Sequence, residues 1–145
     1  MSKRITFEQL IAKREQREAD KLKVGMLEIP GSDMALEARM PPQKAVLEIY
    51  GELSSANGAM EALECGKHAL YTVCPQLQDR NLQAELGVAE DPMRIIDALF
   101  SLPEQDALGG EALRFMGLLA ERPQAAQTED QEKTPADPGL ETVKN

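Results

Sequence analysis

The sequence predicts a mainly α-helical protein, a compact bundle of short helices with one small β-hairpin after the first helix. Three observations support this fold class. Thr6, Asp91 and Ser101 are residues of the N-cap type, and each precedes a stretch with helical periodicity. Prolines stand at the predicted starts of later helices, where a first turn tolerates them. These prolines are Pro42, Pro92 and Pro103. Only one stretch, after the first helix, shows the two-residue alternation typical of a strand.

The first helix is predicted to begin at a capping box. The Thr6 side chain can accept a hydrogen bond from the Gln9 amide while the Gln9 side chain reaches back to Thr6, and Ile5 can contact Leu10 as a hydrophobic staple. An apolar face follows, formed by Phe7, Leu10 and Ile11. Residues 13–21 are almost wholly charged, with opposite charges at helical spacing. A helix that is polar on all sides either projects into solvent or meets a partner, and both alternatives stay open.

A short β-hairpin is predicted next. Leu27 and Ile29 precede a Pro-Gly-Ser turn signal, and after the turn apolar residues alternate with others from Met34 to Met40. Most residues of this second stretch favour helix, so a helix after Ser32 is the alternative.

Five further helical segments are predicted, each bounded by a cap, a proline or a glycine. Their expected limits are Pro42 to Leu53, Ala59 to Cys74, Asp79 to Leu86 with Gly87 as C-cap, Asp91 to Phe100, and Ser101 to about Glu121. The fourth of these is apolar on nearly every side, so we expect it at the buried centre of the domain. The fifth contains Gly109 and Gly110, which weaken a helix by about 1 kcal/mol each relative to alanine and favour a bend.

A single domain is predicted over residues 1–122, followed by a disordered acidic tail at residues 123–145. The chain of 145 residues suffices for one domain, which at this size buries roughly two-thirds of its unfolded surface. After Arg122 the sequence is rich in Pro, Gln, Thr, Asp, Glu and Gly, and only Leu140 and Val143 are large and apolar. Such a composition cannot bury enough surface to offset the entropy of ordering.

The formal net charge of −9 is unevenly distributed. Residues 1–23 hold seven basic and four acidic side chains, residues 24–120 hold six and 15, and residues 121–145 hold three and six. An acidic body repels phosphate, so we expect no nucleic-acid partner. The start of the chain is too polar for a secretory signal and no apolar run approaches the ~20 residues that cross a bilayer, so we expect a cytoplasmic protein without membrane contact.

Candidate chemistry is sparse. Cys65 and His68 lie at i and i+3, but Cys74 lies about 13 Å along the same predicted helix, too far to share a metal or form a disulfide. Free thiols fit a reducing compartment. The single histidine, flanked by Lys67 and Ala69, supplies no oriented triad, and no P-loop or dinucleotide-binding motif is present. We therefore expect no catalytic residue, no metal, no cofactor and no enzymatic activity.

Three segments of the chain carry a family resemblance. They are ITFEQLIAKR at residues 5–14, LYTVCPQL at residues 70–77 and EDPMRIIDALF at residues 90–100. In this order and spacing they resemble the XkdN-like tail assembly chaperones of tailed phages, prophages and bacterial tail-like particles. The resemblance covers roughly residues 4–120, and the sequence departs from the family pattern after the capping box at Ser101.

The resemblance implies a small cytoplasmic chaperone that is absent from the mature virion. Such chaperones bind the tape measure protein, a long helical chain that sets tail length, and keep it soluble until tail tube subunits polymerise around it. The implied partners are the tape measure protein, the tail tube protein and a longer, frameshifted form of the chaperone itself. As the surface for contact or self-association we predict the charged stretch, because it lacks an apolar face. Its residues are Lys13, Arg14, Arg17 and Lys21.

Two other functions remain as alternatives. One is a structural tail adaptor or completion protein that stays in the particle, and the other is a helical interaction module with no role in phage assembly. Mass spectrometry of purified particles separates the first alternative from a chaperone. The neighbouring genes separate the second, because a tail tube gene upstream and a very long tape measure gene downstream favour the chaperone.

Overall fold

A computed structural model describes residues 3–120, and the predicted acidic tail at 123–145 lies outside these described residues. The helices and strands in chain order are α1 Phe7–Asp20, β1 Val24–Glu28, β2 Ala35–Arg39, α2 Gln43–Ser55, α3 Gly58–Val73, α4 Arg80–Glu85, α5 Ile95–Leu99 and α6 Leu102–Phe115. Two short 3₁₀ turns, Pro75–Gln78 and Pro92–Arg94, precede α4 and α5. The prediction of a mainly α-helical protein with one hairpin after the first helix is confirmed.

The hairpin forms although its residues favour helix. Strands β1 and β2 pair antiparallel, and the register places Leu27 opposite Leu36. Leu27, Leu36 and Ala38 are buried on the face that meets the helices, whereas their neighbours in sequence are more exposed. Gly31 provides the turn with a φ of 76°. Alternating burial together with the turn therefore outweighs intrinsic helix propensity, and the alternative of a helix after Ser32 is wrong.

The centre of the core is the crossing of α3 and α6. Gly66 of α3 and Gly109 of α6 meet backbone to backbone, and a Cβ added at Gly109 would lie 2.9 Å from the Gly66 Cα. The largest fully buried side chains around this crossing include Leu70 and Leu108. Helix α6 runs through Gly109 and Gly110 as one helix. Gly109 therefore allows a close helix approach, a role that its low helix propensity does not reveal.

Helix α5 is not the buried centre that its apolar sequence suggested. It is only five residues long, and Ile95 and Ile96 are its buried residues. Leu99 remains 40% exposed, and Asp97 is exposed as well. A helix of little more than one turn offers one side to the core. The prediction holds for Ile95 and Ile96, holds in part for the half-buried Met93 and Phe100 on either side of α5, and is wrong for Ala98 and Leu99.

The predicted caps are confirmed at three helix starts and not at a fourth. Thr6 and Ser101 both form full capping boxes, and the Asp79 carboxylate accepts a hydrogen bond from the Leu82 amide at 2.9 Å. Asp91 makes no side-chain cap, and a 3₁₀ turn follows it.

Helix α6 ends six residues earlier than predicted. Its last residue is Phe115, and Gly117 follows with a φ of 84°. The Gly117 amide donates to the Arg114 carbonyl at 3.0 Å and the Leu118 amide donates to the Leu113 carbonyl at 2.9 Å, which is the Schellman pattern. Gly87 ends α4 in the same way with a φ of 74°, as predicted.

Candidate protein-binding surface

Helix α1 is exposed along almost its whole length, and only Asp20 at its end is half-buried. None of its 14 residues, all of them within the described part of the chain, is buried. The exposed fractions of its large apolar residues are 73% for Phe7, 53% for Leu10 and 42% for Ile11. A helix with an apolar stripe normally buries it against a core. The apolar face predicted for α1 therefore exists without a covering element among residues 3–120.

Local interactions account for the formation of α1. The Gln9 amide donates to Thr6 Oγ1 at 3.1 Å, and the Thr6 amide donates to Gln9 Oε1 at 2.9 Å. Near the other end, Lys21 Nζ lies 3.2 Å from Glu18 Oε2. A cap contributes about 1 kcal/mol and an exposed ion pair a few tenths. Local terms of this size leave a helix of 14 residues only marginally stable, and no buried side chain of α1 adds to them.

One side of α1 is apolar in its first half and charged in its second half. Phe7, Leu10, Arg14, Arg17 and Lys21 follow one another at alternating steps of three and four residues. At 3.6 residues per turn, such steps keep side chains along one side of a helix. This side is called the mixed face below, and Ile11 and Glu18 border it.

All four residues predicted as a contact surface are exposed. Arg14, Arg17 and Lys21 belong to the mixed face, whereas Lys13 lies beside it and lines a shallow depression along α1. Arg17 and Lys21 also line a groove between α1, α2 and α6, which Lys13 and Arg14 do not reach. The structure thus places three of the four predicted residues on one side of α1, together with the exposed Phe7 and Leu10.

The groove has a volume of about 540 Å³ and is lined by both cationic and apolar side chains. Three cations from the end of α1 and the following loop line it, namely Arg17, Lys21 and Lys23. The apolar lining comes from Met40, Val46, Phe115 and Met116. Such a combination suits a ligand with negative charge and some apolar surface.

Lys23 is the residue of this region that the sequence did not single out. Its Nζ donates to the Phe115 carbonyl at 3.2 Å and lies 4.7 Å from the centre of the Phe115 ring. The Met40 amide in turn donates to the Lys23 carbonyl at 2.9 Å. These contacts hold the C-terminal end of α1 against the domain. They join residues far apart in sequence, so no local pattern could have indicated them.

A buried lysine forms the second polar cluster of the protein. Lys67 Nζ lies 3.0 Å from Asp97 Oδ1 and 3.4 Å from Glu64 Oε2, and Gln105 Nε2 donates to the same Asp97 oxygen at 3.1 Å. Burial lowers the pKa of Lys67, but the hydrogen bond and charge of Asp97, together with Glu64, outweigh it and raise the pKa. The lysine stays charged, and it connects α3 to α5 through Asp97, to which Gln105 adds α6.

The thiols and the histidine also have structural partners. Cys65 Sγ donates to the Ile49 carbonyl at 3.6 Å, and His68 Nδ1 lies 2.8 Å from Glu52 Oε2. Burial and the nearby Glu52 charge raise the pKa of the Cys65 thiol, and burial raises the pKa of Cys74 to about 12. Protonated, buried thiols are poor nucleophiles and poor metal ligands. Within residues 3–120, no group of three or more potential metal ligands is assembled.

The described helices, those between residues 3 and 120, include none that is both long and apolar enough to cross a membrane. Comparisons of the chain with protein-family models, curated proteins and solved structures give no match.

Proposed function

We propose that the protein is a tail assembly chaperone of a tailed phage or prophage, which binds the tape measure protein in the host cytoplasm and is absent from the finished particle. The observation that carries this proposal is the mixed face of α1. It presents apolar and charged side chains on a helix that none of the described elements covers. Residues 5–14, which form most of this helix, are also the first of the three segments that together resemble tail assembly chaperones.

The mixed face suits a partner that is itself a long helix. An unassembled tape measure exposes apolar helix faces, which aggregate unless they are covered. Phe7, Leu10 and Ile11 can cover such a face, because amphipathic helices pair through residues at steps of three and four. The cations of the second half can then pair with acidic side chains of the partner, which fixes direction along it.

The small apolar area of α1 agrees with a chaperone that must release its client. Full burial of a large apolar side chain contributes about 1.5–3 kcal/mol, and association costs offset much of the sum over three residues. We therefore expect weak binding by each copy and strong coverage by many copies along one tape measure. Tail tube subunits can displace such copies one at a time. The tail tube protein and a longer, frameshifted form of the chaperone are its other proposed partners.

Co-expression with the tape measure protein of the same gene cluster tests the proposal. We expect the tape measure to become soluble and to co-purify with the chaperone. Reversing the charges of the four predicted contact residues should reduce the recovered complex strongly. The reversed variant carries Lys13→Glu, Arg14→Glu, Arg17→Glu and Lys21→Glu.

A matched control reverses four exposed cations elsewhere on the domain. It carries Arg39→Glu, Lys44→Glu, Arg80→Glu and Arg94→Glu, which give the same change in net charge. The control should still solubilise the tape measure. Equal loss in both variants would show a nonspecific charge effect, and no loss in either would contradict the role of the four residues.

Mass spectrometry of purified particles tests the second half of the proposal. A chaperone should be missing from mature tails while the tape measure and tube proteins are present. Stoichiometric recovery of the protein from tails would instead identify a structural adaptor or completion protein.

A further inference from the structure

We propose that the acidic segment at residues 128–133 of this chain docks into the cationic groove between α1, α2 and α6. This intramolecular contact is independent of the proposed function. The segment reads Thr-Glu-Asp-Gln-Glu-Lys, and its carboxylates at Glu129, Asp130 and Glu132 form the densest acidic run beyond the described domain.

The groove and the acidic segment carry opposite charges. Arg17, Lys21 and Lys23 line the groove, and Asp20 is the one acidic side chain among its described lining residues. The protein as a whole carries a net charge of −9, so a cationic groove is a local exception. The three cations have further donors to offer, because an arginine has five and a lysine three, and each uses only part of them within the domain.

The start of α2 adds to the same field. Pro42 is the N-cap of this 13-residue helix and supplies no side-chain cap, so the first amides of the helix lack the usual side-chain acceptor. Pro42 and Gln43 both line the groove. The positive end of the helix dipole therefore points toward the same space as the three cations, and a carboxylate there would gain from both.

The acidic segment also lies within reach of the groove along the chain. Gly117 is the last residue in chain order that lines the groove, and the structure describes the chain as far as Ala120. Eight residues lie between Ala120 and Glu129, and the nine residue steps span about 30 Å when extended. The acidic run can therefore reach any point of the groove from where α6 ends. A tether of this length also gives a high effective concentration, so even weak ion pairs would hold the segment in place.

Docking would place the acidic segment in competition with any partner that uses the mixed face. Arg17 and Lys21 belong both to the groove and to that face. A bound segment would occupy them until a partner with more carboxylates or apolar surface displaced it. This consequence, unlike docking itself, rests on the proposed function.

Paramagnetic broadening in the full-length chain tests the docking. A nitroxide is attached at Gln131→Cys, while the buried Cys65 and Cys74 are protected from labelling. We expect strong loss of amide signals around Arg17 to Lys23 and Gln43, and unchanged signals around Arg80. In about 1 M salt, where the Debye length is about 3 Å, the broadening should largely disappear.

Two labelled variants make the result specific. Glu129→Lys, Asp130→Lys and Glu132→Lys together should abolish the broadening of groove signals, whereas Asp137→Lys with Glu141→Lys should leave it in place. Groove signals that stay sharp when the labelled chain carries none of these lysine substitutions would overturn the proposal. Equal broadening in both variants would also overturn it, because the acidic run would then not be responsible.

Mixing two isotopic forms distinguishes this contact from one between copies. Isotope-labelled chain without nitroxide is combined with unlabelled, nitroxide-bearing chain. Sharp groove signals in the mixture support docking within one chain. Broadened signals would show that the groove takes the segment of a second copy and would overturn the intramolecular proposal.

Discussion

Helices α1 and α6 have the same length of 14 residues and both begin at a capping box, yet one is exposed and the other is packed into the core. Helix α6 buries six residues and touches the backbone of α3 at Gly109. Helix α1 buries none of its residues, although it carries Phe7, Leu10 and Ile11. A cap therefore determines where a helix begins but not whether the domain uses its apolar side.

The difference lies in what each helix offers to its neighbours. Helix α6 has small residues at Gly109 and Ala112 that let another helix approach closely, and both are fully or nearly buried. Helix α1 has long charged residues after Ile11 that would have to lose their hydration on burial. One helix is built into the core, and the other is left available to a partner.

The largest effect is expected at the contact of the two glycines. Gly109→Val should lower the free energy of unfolding by about 3 kcal/mol, because its side chain must displace the backbone of Gly66. The matched control is Gly51→Val in α2, where an added Cβ meets nothing within 4 Å. The control should change stability by less than about 0.5 kcal/mol. Urea unfolding of both variants gives the comparison, and equal destabilisation would contradict the close approach of α3 and α6.

The lysine cluster should respond unequally to loss of its two partners. Asp97→Asn leaves the buried Lys67 ammonium without its main counter-charge and should lower the free energy of unfolding by about 2 kcal/mol. The Asp97 side chain is already 54% exposed to water, so Lys67→Met should lower the free energy of unfolding by only about 1 kcal/mol. Denaturant unfolding of both single variants and the double variant measures the coupling. A larger cost for Lys67→Met would contradict the assignment of the lysine as the buried member.

Stability should fall as the pH rises above about 9. Burial raises the pKa of Cys74 to about 12, whereas the thiol titrates near its ordinary value in the unfolded chain. The unfolded state thus loses its proton first and unfolding becomes easier, by up to about 1.4 kcal/mol per pH unit. Unfolding between about pH 8 and pH 10 measures this slope, and the range stays below the raised pKa of Lys67. Cys74→Ala should reduce the slope and leave the part due to Cys65, whose pKa is also raised; an unchanged slope would contradict a contribution from Cys74.

The smallest effect on stability is expected in α1. Replacing Phe7, Leu10 and Ile11 together by serine should change the free energy of unfolding by less than about 0.5 kcal/mol, because none of the three is buried. Calorimetry of the triple variant measures this difference. A loss of several kcal/mol would show that the domain uses these side chains and would remove the contrast between α1 and α6.

Local signals in the sequence predicted much of the fold. The capping boxes at Thr6 and Ser101, the glycine at residue 87 and the alternation around Leu36 each depend on neighbours within a few residues. The shortness and exposure of α5 and the meeting of Gly66 with Gly109 depend on tertiary packing, which no local pattern contains. For the same reason Gly109 was expected only to weaken its helix.

The candidate surface was predicted in part. Arg14, Arg17 and Lys21 stand out as a charged stretch, and the structure leaves them exposed on one side of α1. The exposure of Phe7 and Leu10 could not be predicted, since an apolar stripe ordinarily indicates a buried side. The groove beside them requires Lys23 and Phe115 to meet across most of the chain.

The most direct test of a docking role for α1 is the amount of soluble tape measure protein recovered on co-expression with the serine variant of Phe7, Leu10 and Ile11. A control variant replaces three other exposed apolar residues by serine, namely Leu47, Tyr50 and Met60. We predict that the α1 variant folds with unchanged stability but fails to keep the tape measure in solution, while the control variant succeeds. Full solubilisation by the α1 variant would contradict the account.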